Sequence, residues 1–178
     1  QHRSSIESLL RAAQAGRVRS INPLVDLYNA VSLRHALPCG GEDLAAVAGN
    51  VRLTRAVGGE PFRTIGAAED EPARTGEVIY CDDLGAICRC WNWREADRTK
   101  LTEQTTDAML VIEALPEHAP GRLEAALADL VAQFFESPTS ARLSAMPSPS
   151  VTRMSTFRLT PTWPAKAISQ TAAQRPPS

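Results

Sequence analysis

The sequence predicts an α+β fold, and two kinds of periodicity carry that prediction. Apolar residues recur at helical spacing over 5–15, 24–36 and 122–135. Alternating or β-branched runs cover 51–57, 77–81, 86–93 and 107–113. The strands therefore form a mixed sheet core, with the helices layered outside it. Residues 1–136 form one domain, a size that buries a sizeable core.

Taken in order, Ser4 and Glu7 have capping-box spacing at the head of the first helix, and Gly16 ends it. Asn22 caps the second helix and Pro23 fits its first turn. Leu24, Leu27, Tyr28, Val31 and His35 form its buried stripe. Asp26 and Asn29 lie beside that stripe, as cap-and-core groups or as the wall of a pocket. Pro38-Cys39-Gly40-Gly41 breaks the helix, and Glu42-Asp43 starts a short helix through Ala48. Residues 66–76 are an acidic loop. The last helix buries Leu123, Leu127, Leu130, Val131 and Phe134. Beyond Glu136 there are 7 of the 13 Pro, 14 Ser or Thr and no acid, which predicts a disordered tail over 137–178.

Residues 80–106 concentrate unusual chemistry: two of the three Trp, three of the four Cys and four basic side chains. Residues 77–93 read as a hairpin turning at 82–85. Alternation puts Cys88, Cys90 and Asn92 on one face of its second strand, and Arg89, Trp91 and Trp93 on the other. The polar loop 94–100 that follows is either a binding site or a solvated connection.

Residues 1–136 carry a net charge of −6 and residues 137–178 a net charge of +5. A body of that sign is not a bulk nucleic-acid binder, so RNA contact must come from local clusters or the tail. The four Cys suggest reduced, cytoplasmic thiols rather than a disulfide framework. No apolar run approaches the length of a membrane span, and no signal-peptide pattern opens the chain. It begins with Gln, as a fragment or an incomplete gene model would. Cys88-x-Cys90 lacks the knuckle spacing of a zinc site, and His35 and Cys39 are its only conceivable partners. Neither a nucleophile elbow nor a phosphate loop is present. No metal or cofactor is expected.

Several stretches do resemble a known family. NPLVDLYNAVSL…LPCGGEDL at 22–44 is similar to the VDxTNxVxxxxGxPxHxFD stretch of the tRNA-editing domain of the bacterial phenylalanyl-tRNA synthetase β subunit (the B-three/B-four module). RLTRAVGGE at 52–60 and TTDAMLVIE at 105–113 look like that module's strand-and-turn and its closing strand. CRCWNWREADRTKLT at 88–102 looks like members that lack the synthetase body. The resemblance spans about residues 20–115.

It implies a barrel-like strand arrangement and a pocket that hydrolyses the ester of wrongly charged tRNA, with tRNA (its acceptor end) as partner. Such a site exists because pocket size alone rejects close analogues poorly. The alternative is a non-catalytic tRNA- or RNA-binding module, and a third reading is a hydrolase of other amino-acid esters. Asn29, Pro38, Asp43, Thr105 and Glu113 match the family, with Pro38, Thr105 and Glu113 read as structural. Tyr28 stands where the family has Thr and Gly40 where it has His, so tyrosyl specificity does not carry over. Tyr28, Asn29, Gly40 and Asp43 are the expected substrate-binding residues, and Asn92, Asp97 and Thr99 the expected catalytic ones. Asp97 is assigned to orienting water or holding the α-ammonium, with a surface ion pair to Arg94 or Arg98 as the bland reading. Asn92 and Thr99 are assigned to the ester or the ribose. Arg89, Arg94, Arg98 and Lys100 are expected to clamp phosphates, and Trp91 to stack on an unpaired base.

Overall fold

A computed structural model describes residues 4–115, 121–136, 141–146 and 152–159. The described residues form three helices and two antiparallel sheets, an α+β fold, and these sheets do not close into a barrel. One sheet has the order β1-β6-β8-β7, from Cys39–Asp43, Asp107–Glu113, Thr152–Leu159 and Ala141–Met146. The other has the order β2-β3-β4-β5, from Arg52–Arg55, Val78–Cys81, Ala86–Arg89 and Arg94–Glu95.

The helices sit where periodicity places them. Helix α1 (Ser5–Gln14) is capped by the Ser4 hydroxyl, which accepts from the Glu7 N–H. In α2 (Pro23–His35) the Asn22 side chain accepts from Val25 N–H at 3.0 Å and donates to the Leu101 carbonyl at 3.1 Å. That cap therefore also ties the helix to the segment after β5. Helix α3 (Arg122–Glu136) packs on α2 and β6, so that Leu24, Val31, Leu110, Ile112, Leu130 and Phe134 share one core. His35 and Arg34 both reach Asp129 across the helix pair.

Four sequence expectations are corrected. Glu42-Asp43 does not start a helix: Cys39–Asp43 is strand β1, paired with Met109–Ile112 and Ala108 of β6. Gly41 serves close packing there rather than a turn. The second hairpin strand stops at Arg89, because Cys90 and Trp91 enter the left-handed region at φ 52° and 65°. The alternating faces predicted for 88–93 therefore do not exist, and all four β4 residues are buried. All described strand pairs are antiparallel rather than mixed. Finally, β7 and β8 occupy part of the stretch predicted to be disordered, and β8 pairs with the whole of β6. The rest of 137–178 lies outside the described residues.

The two glycines of β1 differ sharply. A Cβ on Gly41 would collide with the Leu110 side chain, lie 2.9 Å from Leu101 Cδ1 and 3.1 Å from the Met109 carbonyl, whereas one on Gly40 would meet nothing within 4 Å. Gly41→Ala is expected to cost about 1–3 kcal/mol in urea unfolding. Gly40→Ala is expected to stay within about 0.5 kcal/mol of the parent. Equal effects at the two positions would contradict the register.

Candidate functional site

A cavity of about 340 Å³ opens between the two sheets under the N-terminus of α1. Helix α2 supplies Val25, Tyr28 and Asn29; β1 supplies Cys39 to Glu42; β6 supplies Met109 and Val111. The opposite wall is Tyr80, Ile87, Cys88, Asn92, Trp93 and Glu95, with Lys100 and Leu101 closing one side. Its volume and largely apolar walls are those of a small-molecule site. Ile21 (67% exposed), Ile65 and Trp93 also line it and are open to solvent.

Five predicted residues meet at this cavity: Tyr28, Asn29, Gly40, Asn92 and Lys100. Asn92 is fixed at both ends. Its Nδ2 donates to Glu113 at 2.7 Å, and its Oδ1 accepts the Ser5 N–H at 3.2 Å. Asp26 turned out to be the cap-like member of its pair, accepting from Ser20 and from Ile21 N–H, while Asn29 is pocket wall.

The structure places the other predicted residues elsewhere. Asp97 lines a separate surface depression and pairs with Lys100 at 2.6 Å, a hydrogen bond that holds its pKa below the ordinary carboxylate value. Asp43 accepts from Ala45 N–H and from the Thr105 hydroxyl, a turn-forming role. Thr99 is fully buried (0% exposed) behind Glu42 rather than at the cavity surface.

The basic cluster is also dispersed. Arg89 is 2% exposed, forms a forked pair with Glu77 at 2.9 and 3.0 Å, and lies over the Phe62 ring. Burial opposes ionisation of Glu77, yet the Arg89 bonds hold its pKa down at about 2. Arg98 grips both Asp82 oxygens at 2.9 Å, and Arg94 binds Glu71 at 2.6 Å. Each member of the cluster thus has an acidic partner. Trp91 and Trp93 are both partly exposed, so neither is a core residue. Trp91 lies outside the cavity lining and donates its indole N–H to Glu113 at 2.5 Å.

What the sequence did not point to is a pair of acids, Glu42 of β1 and Glu95 of β5, facing each other across the cavity from different sheets. Burial, then the neighbouring Glu95, pushes the Glu42 pKa well above the ordinary value, with Thr99 and Arg98 opposing. Burial also raises Glu95, partly offset by hydrogen bonds from Glu42 and Cys88. Two facing carboxyls in a poorly solvated site hold one proton in common. The same burial, and then Glu95, raises Cys88 far above a thiol's usual value, which keeps it protonated and poor as a nucleophile. The available signal was strand alternation: Gly40 and Glu42 share a face of β1, and Cys88 opposes Glu95 in register. Reading 42–48 as helix concealed it. Among the described residues no group of His, Cys, Asp and Glu is arranged to hold a metal ion.

A model of the B3/4 domain family, the B3/B4 domain of the phenylalanyl-tRNA synthetase β subunit, matches residues 1–125, so the chain belongs to that family. No curated protein matches it. No helix among the described residues is long and apolar enough to cross a membrane.

Two outcomes follow from these contacts. Arg89→Ala removes the buried member of the pair, leaves the half-buried Glu77 without its partner, and is expected to cost about 3–5 kcal/mol in denaturant unfolding. Arg94→Ala, at a more exposed pair, is expected to cost under about 1 kcal/mol. Glu42 and Glu95 have raised pKa values in the folded state, so their stabilisation is present below the ordinary carboxylate value and is lost as pH rises through the raised ones. Glu42→Gln should therefore gain thermal stability relative to the parent as pH rises above the ordinary carboxylate range. Parallel pH profiles would show that the two carboxyls do not interact.

Proposed function

We propose, from its membership of the B3/4 domain family, that this chain hydrolyses the ester of mischarged aminoacyl-tRNA, acting in trans as the resemblance of residues 88–102 implies. The cavity is the observation that supports this reading. It brings Tyr28, Asn29, Gly40 and Asn92, from separate family-like segments, around one space. The aminoacyl group enters between the sheets, and the terminal adenosine stays at the mouth against Ile21, Ile65 and Trp93. An aromatic side chain there gives an unpaired base a stacking surface.

Water is the nucleophile in this proposal, because the Cys88 thiol keeps its proton. Asn29 and Asn92 present amide groups to the ester carbonyl and the ribose, stabilising charge that develops on the oxygen. Gly40 leaves open space where a side chain would stand, and Tyr28 borders it. That shape favours a substrate other than a tyrosyl ester. Lys100, in the cavity lining and bound to Asp97, offers a cation for a terminal phosphate.

Purified protein incubated with a panel of mischarged tRNAs provides the test. Release above the uncatalysed rate is expected, with Asn29→Ala lowering kcat/KM about 100-fold. Asp97→Asn should retain the parent turnover, since Asp97 lies outside the cavity. Binding without release would instead support an RNA-binding module, and hydrolysis confined to free aminoacyl esters would support a smaller substrate.

A further inference from the structure

The Glu42–Glu95 pair carries an inference about what the cavity recognises. Glu42 is 4% exposed and lines the cavity, yet its Oε2 has no hydrogen-bond partner among the described residues. The Thr99 hydroxyl lies directly behind it, fully buried, and favours its ionised form. Buried acceptors of this kind are normally satisfied, and an exception inside a cavity marks a place for a ligand's donor. The two acids come from facing sheets, so a group entering between the sheets meets both.

We propose that Glu42 and Glu95 are the receptor for a primary ammonium group, and that the cavity's ligand is an α-amino acyl group with an apolar side chain. The proposal rests on reading this cavity as an aminoacyl site and adds the atoms that hold the amine. A carboxyl pair sharing a proton is completed equally well by a cation. An ammonium has three N–H donors and a full positive charge, so it can pair with both carboxylates where the single proton had joined them. The balance is simple: the ammonium enters as R–NH3+, both carboxyls become carboxylates, and the displaced proton leaves to solvent. No bond to carbon changes.

The surroundings favour a cation over an anion or a neutral hydroxyl. Tyr28 on α2, Cys88 on β4 and Glu113 on β6 face the pair and bring no positive charge. Arg98 acts on Glu42 but is bound to Asp82, and Lys100 is held by Asp97. The apolar part of the wall, Val25, Ile87, Leu101, Met109 and Val111, offers no hydrogen bonds from its side chains and suits an aliphatic or aromatic group. The role that sequence reasoning gave to Asp97, holding the α-ammonium, thereby passes to two acids inside the cavity.

The test uses amides, which keep the amine but present no ester to hydrolyse. Alaninamide, leucinamide and phenylalaninamide are titrated into the whole protein by calorimetry, in two neutral buffers of different ionisation enthalpy. Binding of at least one is expected, with about one proton released per amine bound. 4-Methylpentanamide, which is leucinamide without the amine, should bind about tenfold more weakly or not at all, and release none. Glu42→Gln and, independently, Glu95→Gln should each abolish proton release while leaving the unfolding transition cooperative. Failure of all three amides to bind, or equal binding of leucinamide and 4-methylpentanamide, would overturn the proposal. Amide binding with proton release but no deacylation of mischarged tRNA would uphold the ammonium site and sink the deacylase reading. Deacylation without proton-linked amide binding would do the reverse.

Discussion

A single buried carboxylate, that of Glu113, holds the two sheets in their working arrangement. It lies on β6 of the first sheet and accepts hydrogen bonds from the Tyr80 hydroxyl at 2.5 Å, the Trp91 indole at 2.5 Å and the Asn92 amide at 2.7 Å. All three donors belong to the second sheet or the turn that leaves it. Hydrogen bonds to an ionised group contribute roughly 1.5–3 kcal/mol each, and a buried carboxylate deprived of them costs more. The clamp also explains a strained detail. Cys90 and Trp91 adopt positive φ without being glycine, a conformation that persists only where surrounding bonds over-determine it. Glu77 accepts the Cys90 N–H and Glu113 accepts the Trp91 side chain, so two acids hold the turn from either side. Asn92 then relays the clamp to the N-terminus of α1 through Ser5.

The excess of acid in residues 1–136 has a structural use. Glu77, Asp82 and Glu113 are each satisfied by several donors, and the guanidinium groups of Arg89 and Arg98 are consumed in doing so. Glu42 and Glu95 have no such guanidinium fork and share a proton instead. Glu113 lies outside the cavity lining, whereas Glu42 and Glu95 are part of it. Only the latter are placed to exchange what they hold for a ligand.

How much of this was legible in the sequence follows from the range of the interactions. The three helices were readable because 3.6-residue periodicity and local caps such as Ser4 and Asn22 fall within a few residues of each other. Strand β6 was readable from its apolar run. Strand β1 was not, because Gly40-Gly41 reads as a breaker when the role of Gly41, close approach of β6 and Leu101, lies some 60 residues away. The basic cluster was misread for the same reason: Arg89 and Arg98 find Glu77 and Asp82 across the sheet, and no local pattern announces an ion pair. The family resemblance singled out Tyr28, Asn29 and Gly40, all three of which line the cavity. It could not reach Glu42 and Glu95, whose pairing exists only once two sheets face each other.

The central claim is that a buried carboxylate joins the sheets, and a double-mutant cycle between Glu113→Gln and Tyr80→Phe tests it most directly. The two groups come from different sheets and meet in one hydrogen bond. Urea unfolding of the parent, both single variants and the double variant should give a coupling energy of about 1–3 kcal/mol. A coupling near zero, with the two effects simply additive, would mean that the sheets are held together by something else.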